Sequence, residues 1–139
     1  MVRNIVKDTE LLTQQSERFE FGKDDYLIQD MIDTAKYHKT NCVGLAAPQI
    51  GERKRVIVVL TNTGFVAMVN PQIFWKDISS RYTTAESCLS VDGEHTVKRF
   101  RKIKVNYTTA QGAQKTQLFE GFLAQIIQHE IDHLNGILI

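Results

Sequence analysis

The spacing of apolar residues predicts two helices. From Asp24 to Tyr37, apolar residues recur every three or four positions, which indicates a helix with one buried face and Asp24 or Asp25 as its N-cap. The same spacing runs through GFLAQIIQHEIDHL (121–134), and Gly136 stands where a C′ glycine commonly ends a helix. The predicted buried stripe of this second helix is Leu123, Ile126, Ile127, Ile131 and Leu134.

Shorter apolar and alternating runs between the two helices predict strands. The clearest runs are RVIVVL (55–60), FVAMVN (65–70), KIKVNYT (102–108) and AQKTQLF (113–119). QIFWKDISS and TTAESCLSV are also strand-like, Asn70-Pro71 predicts a break, and CVGLAAPQIG (42–51) predicts a shaped loop. The expected fold class is therefore α+β, with mostly antiparallel strands around a C-terminal helix.

Composition narrows the class of protein. A chain of 139 residues, 42% of them hydrophobic, predicts a single domain over residues 1–139 with a real core. A formal charge of +1 argues against nucleic-acid capture by global charge. We expect no sequence-specific nucleic-acid partner. The N-terminus lacks a signal-peptide apolar region, and no run is long enough for a bilayer, so we expect a cytoplasmic protein with no membrane partner.

The segment QHEIDHLNG (128–136) suggests a metal site. His129 and His133 are four residues apart, so on a helix their side chains lie on one face, with Glu130 beside them. H-E-x-x-H is the arrangement by which metallopeptidases hold zinc and activate water. Two scattered surface histidines are the alternative, but the motif overlaps the apolar stripe, which favours a position at the edge of the core.

A third ligand is missing from this helix. Only six residues follow His133, and Ile139 stands where the longer zinc-peptidase pattern has its last histidine. The third ligand is therefore expected upstream. A cysteine joined to two histidines would leave one coordination position open and would favour Fe(II) or zinc over magnesium or calcium. The upstream candidates are Cys42, Cys88, His38, His95 or a carboxylate.

Three segments, in this order, resemble the motifs of peptide deformylases: CVGLAAPQ (42–49), ESCLS (86–90) and QHEIDHLNG (128–136). The resemblance implies the α+β fold of that family. It also implies hydrolysis of the formyl group from the N-terminal N-formylmethionine of nascent proteins, with release of formate. In the family pattern one divalent metal, Fe(II) in cells and replaceable by Ni, Co or Zn, is bound by three residues, which correspond to Cys88, His129 and His133.

The resemblance also assigns roles around the metal. Glu130 is expected to accept and return a proton, while the Gln49 amide and the Leu89 backbone N–H stabilise the negative oxygen of the tetrahedral state. Glu86 and Asp132 are expected to support the site rather than react. The substrate would bind like an added strand and border three further residues. These are Val43, Gly44 and Ser87.

Two positions depart from the family pattern. Cys42 and Ser87 replace glycines, and a positive φ at either would cost on the order of 1 kcal/mol. These replacements motivate an alternative function, a divergent protein that binds metal and formylated peptides or the ribosome with little catalysis. A zinc endopeptidase is a third hypothesis, and the missing downstream ligand counts against it. Cys42 is either a packed thiol or a reactive one.

The segment KRFRKIK (98–104) is strongly basic, with five Lys or Arg in seven residues. It could contact ribosomal RNA, which would suit an enzyme that acts on emerging chains. The simpler interpretation is a solvated strand in which Ile103, Val105 and Tyr107 point inward. The remaining histidines, His38 and His95, are expected at the surface.

Overall fold

The computed structural model describes residues 1–139 and contains three helices and seven strands. The helices are α1 (Thr9–Leu12), α2 (Tyr26–Tyr37) and α3 (Gly121–Leu134). The strands are β1 (Gly44–Ala46), β2 (Val56–Thr61), β3 (Gly64–Lys76), β4 (Arg81–Glu86), β5 (His95–Phe100), β6 (Lys102–Thr108) and β7 (Gln114–Glu120). Short 3₁₀ turns cover Ala47–Ile50 and Ile78–Ser80.

Five strands form an antiparallel sheet in the order β1-β2-β3-β6-β7, and β4 pairs with β5 in a separate ribbon. The predicted α+β class with antiparallel strands is confirmed. None of the helices has both the length and the apolar character needed to cross a bilayer.

Helices α3 and α2 cover opposite faces of the five-stranded sheet. Because side chains alternate along a strand, Ile57 and Val59 of β2 join the core cluster that contains α3, while Val56 and Val58 join the cluster that contains α2. Helix α3 is thus packed against the sheet on its apolar stripe, and its motif residues lie at the edge of that packing. The fold in this way holds the two histidines in fixed positions.

The predicted helices are present with small adjustments at their ends. Asp25 is the N-cap of α2, but its carboxylate accepts hydrogen bonds from the Gly22 N–H rather than from the helix. Helix α3 ends at Leu134, and Gly136 has φ 75°, as predicted for a C′ glycine. The N-terminal helix α1 was not predicted, because four residues are too few to show a helical period.

The predicted break at Asn70-Pro71 is wrong, since β3 continues through it. Asn70 adopts φ 48°, and the register between β3 and β6 shifts between Val69 and Gln72. This bulge accommodates a proline, which cannot donate a hydrogen bond to the neighbouring strand. A local irregularity thus replaces the expected end of the strand.

Two other segments also differ from prediction. The expected loop after Cys42 contains the short strand β1, which pairs with β2 at the edge of the sheet. The strand-like segment TTAESCLSV leaves the ribbon at Glu86, so Cys88 lies on irregular backbone beyond β4. In β6 the inward positions of Ile103, Val105 and Tyr107 agree with the predicted alternation.

Candidate metal centre

Helix α3 and the segment after β4 bring three candidate ligands together. The Nε2 atoms of His129 and His133 lie 3.1 Å apart. With the Cys88 sulfur, the ligand atoms of all three residues lie within 4.8 Å of one another. Cys88 is partly exposed and both histidines are buried. The other upstream candidates, Cys42, His38 and His95, do not belong to this group.

A buried carboxylate orients the first histidine. His129 Nδ1 lies 2.8 Å from Glu86 Oε1, so a proton on Nδ1 leaves the Nε2 lone pair directed at the candidate metal position. Arg99 donates to both oxygens of Glu86, at 3.0 and 2.7 Å, and its third nitrogen donates to Asp132 at 2.7 Å. Glu86, Arg99 and Asp132 thus form one hydrogen-bonded network that ends at His129.

The groups around the two histidines favour a positive charge at His129 and a neutral ring at His133. Burial works against a charged His129, but hydrogen bonds with Cys88 and Glu86 and the nearby Glu130 raise its pKa to about 10. Burial, followed by the positive charges of His129 and Arg99, lowers the pKa of His133 to about 3, which keeps that ring neutral. The pKa of Glu86 falls to about 2 because its hydrogen bonds outweigh the effect of burial.

The donor set suits a transition metal. One thiol and two imidazole nitrogens are the ligands that zinc and ferrous iron accept, and they are unsuited to magnesium or calcium. Two buried atoms of the motif, Glu130 Oε1 and His133 Nδ1, have no hydrogen-bond partner in the protein. Unpartnered buried polar atoms are rare away from functional sites. The residues therefore fit a bound metal ion.

Glu130 lies beside the ligands and is almost fully buried, with 4% of its surface exposed. Burial raises the pKa of its carboxyl group to about 7. A carboxylate in this range can both accept and release a proton near neutral pH.

A cavity of about 240 Å³ adjoins the ligands. Every predicted site residue except His133 borders it, and His133 is fully buried. The predicted residues on the wall are Val43, Gly44, Gln49, Ser87, Cys88, Leu89, His129 and Glu130.

Two potential hydrogen-bond donors, the Gln49 side chain and the Leu89 backbone N–H, belong to residues that border this cavity. Gln49 is buried, and its Oε1 accepts from the Ala46 N–H at 3.0 Å, which leaves its NH₂ group for Ser90 Oγ at 3.3 Å and for the cavity. The Leu89 N–H has no acceptor within the protein. Both groups are available to donate to a bound oxygen.

The backbone strain that a positive φ would cause at Cys42 or Ser87 is not found. Asn70 is the one non-glycine residue with a positive φ, so neither replacement needs glycine's freedom. Cys42 is buried, and its thiol donates to the Gly44 carbonyl at 3.2 Å. Burial and then the nearby Glu130 raise the pKa of this thiol to about 11, which disfavours the reactive thiolate form. Ser87 is exposed at the cavity mouth.

The sequence did not reveal three residues around the site. Arg99 lies in the basic segment interpreted as solvated, yet it is buried between Glu86 and Asp132. Gln125 and Tyr82 form a hydrogen-bonded pair beside Glu86. The sequence carried no signal for Arg99, because its burial follows from that of Glu86, whose carboxylate needs a cation once it is removed from water.

A buried glutamate on an H-E-x-x-H helix, beside a cluster of one cysteine and two histidines that could hold a metal, is the arrangement of a metal-dependent hydrolase. The sequence model of the family described as Polypeptide deformylase matches residues 2–139. A protein named peptide deformylase from Clostridium beijerinckii is 46% identical over 140 residues, which cover 100% of both chains. Another, from Dictyoglomus turgidum, is 45% identical over 81% of this chain and 72% of that protein. The chain belongs to the polypeptide deformylase family.

Solved structures agree with this membership. The actinonin-bound class I type b peptide deformylase from Acinetobacter baumannii matches with a TM-score of 0.87 and 38% identity over 99% of this chain and 95% of that one. A Met-Ala-Ser-bound structure from the same organism gives a TM-score of 0.87 at 36% identity, over 99% and 97% of the two chains. The chain is an enzyme of this class, a metal-dependent hydrolase that deformylates nascent proteins, and the alternative of a binding module is disfavoured.

Proposed function

We propose that the cavity binds the N-terminal N-formylmethionine of a nascent chain and that Cys88, His129 and His133 hold one divalent ion beside it. The observation that carries this proposal is the convergence of the three ligand atoms within 4.8 Å at a cavity that Glu130 also borders. Fe(II) is the expected ion in the cell, with Ni, Co or Zn as replacements, because the thiolate and imidazoles suit these metals.

Glu130 carries the proton in the proposed reaction. A bound ion supplies Lewis acidity, which lowers the pKa of water and polarises a carbonyl oxygen. The Glu130 carboxylate accepts the proton of the attacking water and later delivers it to the amine nitrogen, so that formate and a free N-terminus are released. Its deep burial excludes competing water, and its pKa of about 7 matches both halves of this task.

Gln49 and Leu89 are the proposed donors to the developing oxyanion. Replacing Gln49 with Leu is expected to lower kcat for formate release by about 10²–10³-fold, because one oxyanion donor is lost. Metal content should stay at the wild-type level, since Gln49 is not a ligand. Ser90→Ala, which removes only the partner of Gln49, serves as the control. A Gln49→Leu enzyme with wild-type kcat would contradict the assigned role.

The substrate backbone is proposed to extend the sheet at β1. This strand is at the end of the strand order, so one of its edges is open. Val43 and Gly44 on that side and Ser87 on the other border the cavity. An extended peptide between them would use main-chain hydrogen bonds for affinity. The Met-Ala-Ser peptide held by the Acinetobacter baumannii enzyme supports a peptide ligand of this length.

Gly44 is required for space rather than for backbone freedom. A Cβ at this position would lie 2.7 Å from Ile126 Cγ2 and 2.8 Å from Glu130 Oε2. Gly44→Ala is therefore expected to lower the free energy of unfolding by about 1–3 kcal/mol and to reduce formate release by displacing Glu130. Urea unfolding and formate assays measure both effects. Unchanged stability and turnover would show that the contact is relieved without moving Glu130.

Contact with the ribosome is proposed through the exposed part of the basic segment. Lys98, Arg101, Lys102 and Lys104 are exposed, whereas Arg99 is buried and contributes nothing to this surface. Phosphate groups of RNA attract such a cluster without reading its sequence. The β4–β5 ribbon connects this surface to Glu86 at the cavity, so an emerging chain would be close to the site.

Co-sedimentation with ribosomes tests this contact. A variant with Lys98→Glu and Lys104→Glu is expected to bind roughly tenfold more weakly at low salt, and the difference should shrink as salt increases. A matched variant with Lys23→Glu and Lys39→Glu carries the same change of charge near α2 and should bind like the wild type. Equal weakening by both variants would contradict a contact through this segment.

We further propose that residues 1–139 act as one catalytic domain in the cytoplasm. The family match over residues 2–139 and the shared central sheet support a single domain. The two free cysteines, Cys42 and Cys88, are consistent with a reducing compartment.

A further inference from the structure

Besides His129 and Glu130, helix α3 contributes one polar side chain to the cavity. Gln125 lies between Phe122 and Ile126 on the cavity wall, one helical turn before His129. Its Oε1 accepts a hydrogen bond from the Tyr82 hydroxyl at 2.8 Å, and its Nε2 donates to Glu86 Oε2 at 2.9 Å. Both ends of this amide are therefore held by the β4 strand.

The two partners fix which way the amide faces. Glu86 is paired with Arg99 and accepts hydrogen bonds, so the NH₂ group of Gln125 must point toward it. The Tyr82 hydroxyl donates to the amide oxygen. An NH₂ group carries two hydrogens, and Glu86 accepts one of them. The protein offers no acceptor for the other.

The remaining polar residues of the cavity are placed differently. Gln49 donates one N–H to Ser90 and is assigned, with the Leu89 N–H, to the developing oxyanion, while Asn41 and Ser87 are exposed. Phe122 and Ile126 offer only apolar contact, which does not distinguish a sulfur atom from a methylene group. Apart from the candidate ligand His129 and the proton carrier Glu130, the spare N–H of Gln125 is therefore the donor that α3 offers to an inserted side chain.

We propose that Gln125 is a specificity-determining residue, whose spare N–H donates to the thioether sulfur of the first substrate residue and so favours methionine over norleucine. This inference rests on the proposed function, since it assigns the first side chain to this cavity. Norleucine has the same length and a methylene in place of sulfur. Thioether sulfur is a weak acceptor, so the expected preference is modest, roughly threefold in kcat/KM.

The test compares formyl-Met-Ala-Ser with formyl-norleucyl-Ala-Ser. Wild-type enzyme should show the roughly threefold preference, and Gln125→Leu should reduce the ratio of the two kcat/KM values to about one. Loss of the Gln125 hydrogen bond to Glu86 would lower kcat/KM for both peptides by the same factor. The ratio of the two kcat/KM values therefore reports only contact with the first side chain and not the effect on Glu86. Phe122→Leu alters the same wall without changing a donor and should retain the wild-type ratio.

Calorimetric titration with the two unformylated tripeptides keeps the inference testable without turnover. A lower Kd for the methionyl peptide that disappears in Gln125→Leu would support the inference even if no formate were released, and the missing turnover would then count against the proposed function alone. Equal Kd and equal kcat/KM for both peptides in the wild type would overturn the inference. A preference that persists in Gln125→Leu would overturn it as well.

Discussion

Formate release from a formylated methionyl peptide should fall by about 10²–10⁴-fold when Glu130 is replaced by Gln. The amide keeps the size of the side chain but cannot accept the proton of the attacking water. Because Glu130 is not among the three grouped ligand residues, the variant should bind one metal ion per chain like the wild type. Kinetic assays on metal-loaded protein, with metal content determined in the same samples, measure both quantities.

Glu10→Gln is the matched control, because Glu10 is an exposed carboxylate on α1, far from the cavity in sequence and absent from its wall. It should retain wild-type turnover. A Glu130→Gln enzyme that retains both metal and turnover would remove Glu130 from the mechanism. A variant that loses the metal would assign Glu130 to metal binding instead.

The largest effect on stability is expected at Arg99. Its side chain is 6% exposed and forms ion pairs with Glu86 and Asp132, each at 2.7 Å. Arg99→Leu leaves the buried Glu86 carboxylate without its cation, which should lower the free energy of unfolding by about 3–5 kcal/mol. The same change should weaken metal affinity, because Glu86 also orients His129.

Urea unfolding of the wild type and two variants measures this difference. Arg101→Leu is the matched control. Arg101 is exposed, and its guanidinium carbon lies 4.3 Å from the centroid of the Tyr82 ring. Its loss should cost about 1 kcal/mol or less. Similar values for Arg99→Leu and Arg101→Leu would mean that water or rearrangement satisfies Glu86, and that the buried network is not a support of the site.

The features predictable from the sequence were those with a local period or a local motif. The stripe of α3 and the spacing of His129 and His133 follow from helical geometry alone, and the alternation in β6 follows from strand geometry. Spacing could not select Cys88 from the other upstream candidates, because its approach to α3 depends on how the β4–β5 ribbon packs. The resemblance of three motifs supplied that choice.

The remaining features depend on tertiary partners and have no local signal. Arg99 sits among exposed cations in the sequence, and its burial follows from Glu86 and Asp132, which lie 13 and 33 residues away. The continuity of β3 through Pro71 depends on a bulge against β6. Gln125 occupies an ordinary helical position, and only its contacts with Tyr82 and Glu86 distinguish it.

The most direct test of the metal-dependent deformylase is an anaerobic titration of chelator-treated protein with Fe(II), or with Ni(II) for stability, during hydrolysis of formyl-Met-Ala-Ser. Formate release should rise from background and reach a plateau at one ion per chain. Formate release at the full rate in metal-free protein would contradict metal-dependent deformylation. Binding of an ion by Cys88, His129 and His133 with no formate released would contradict it as well.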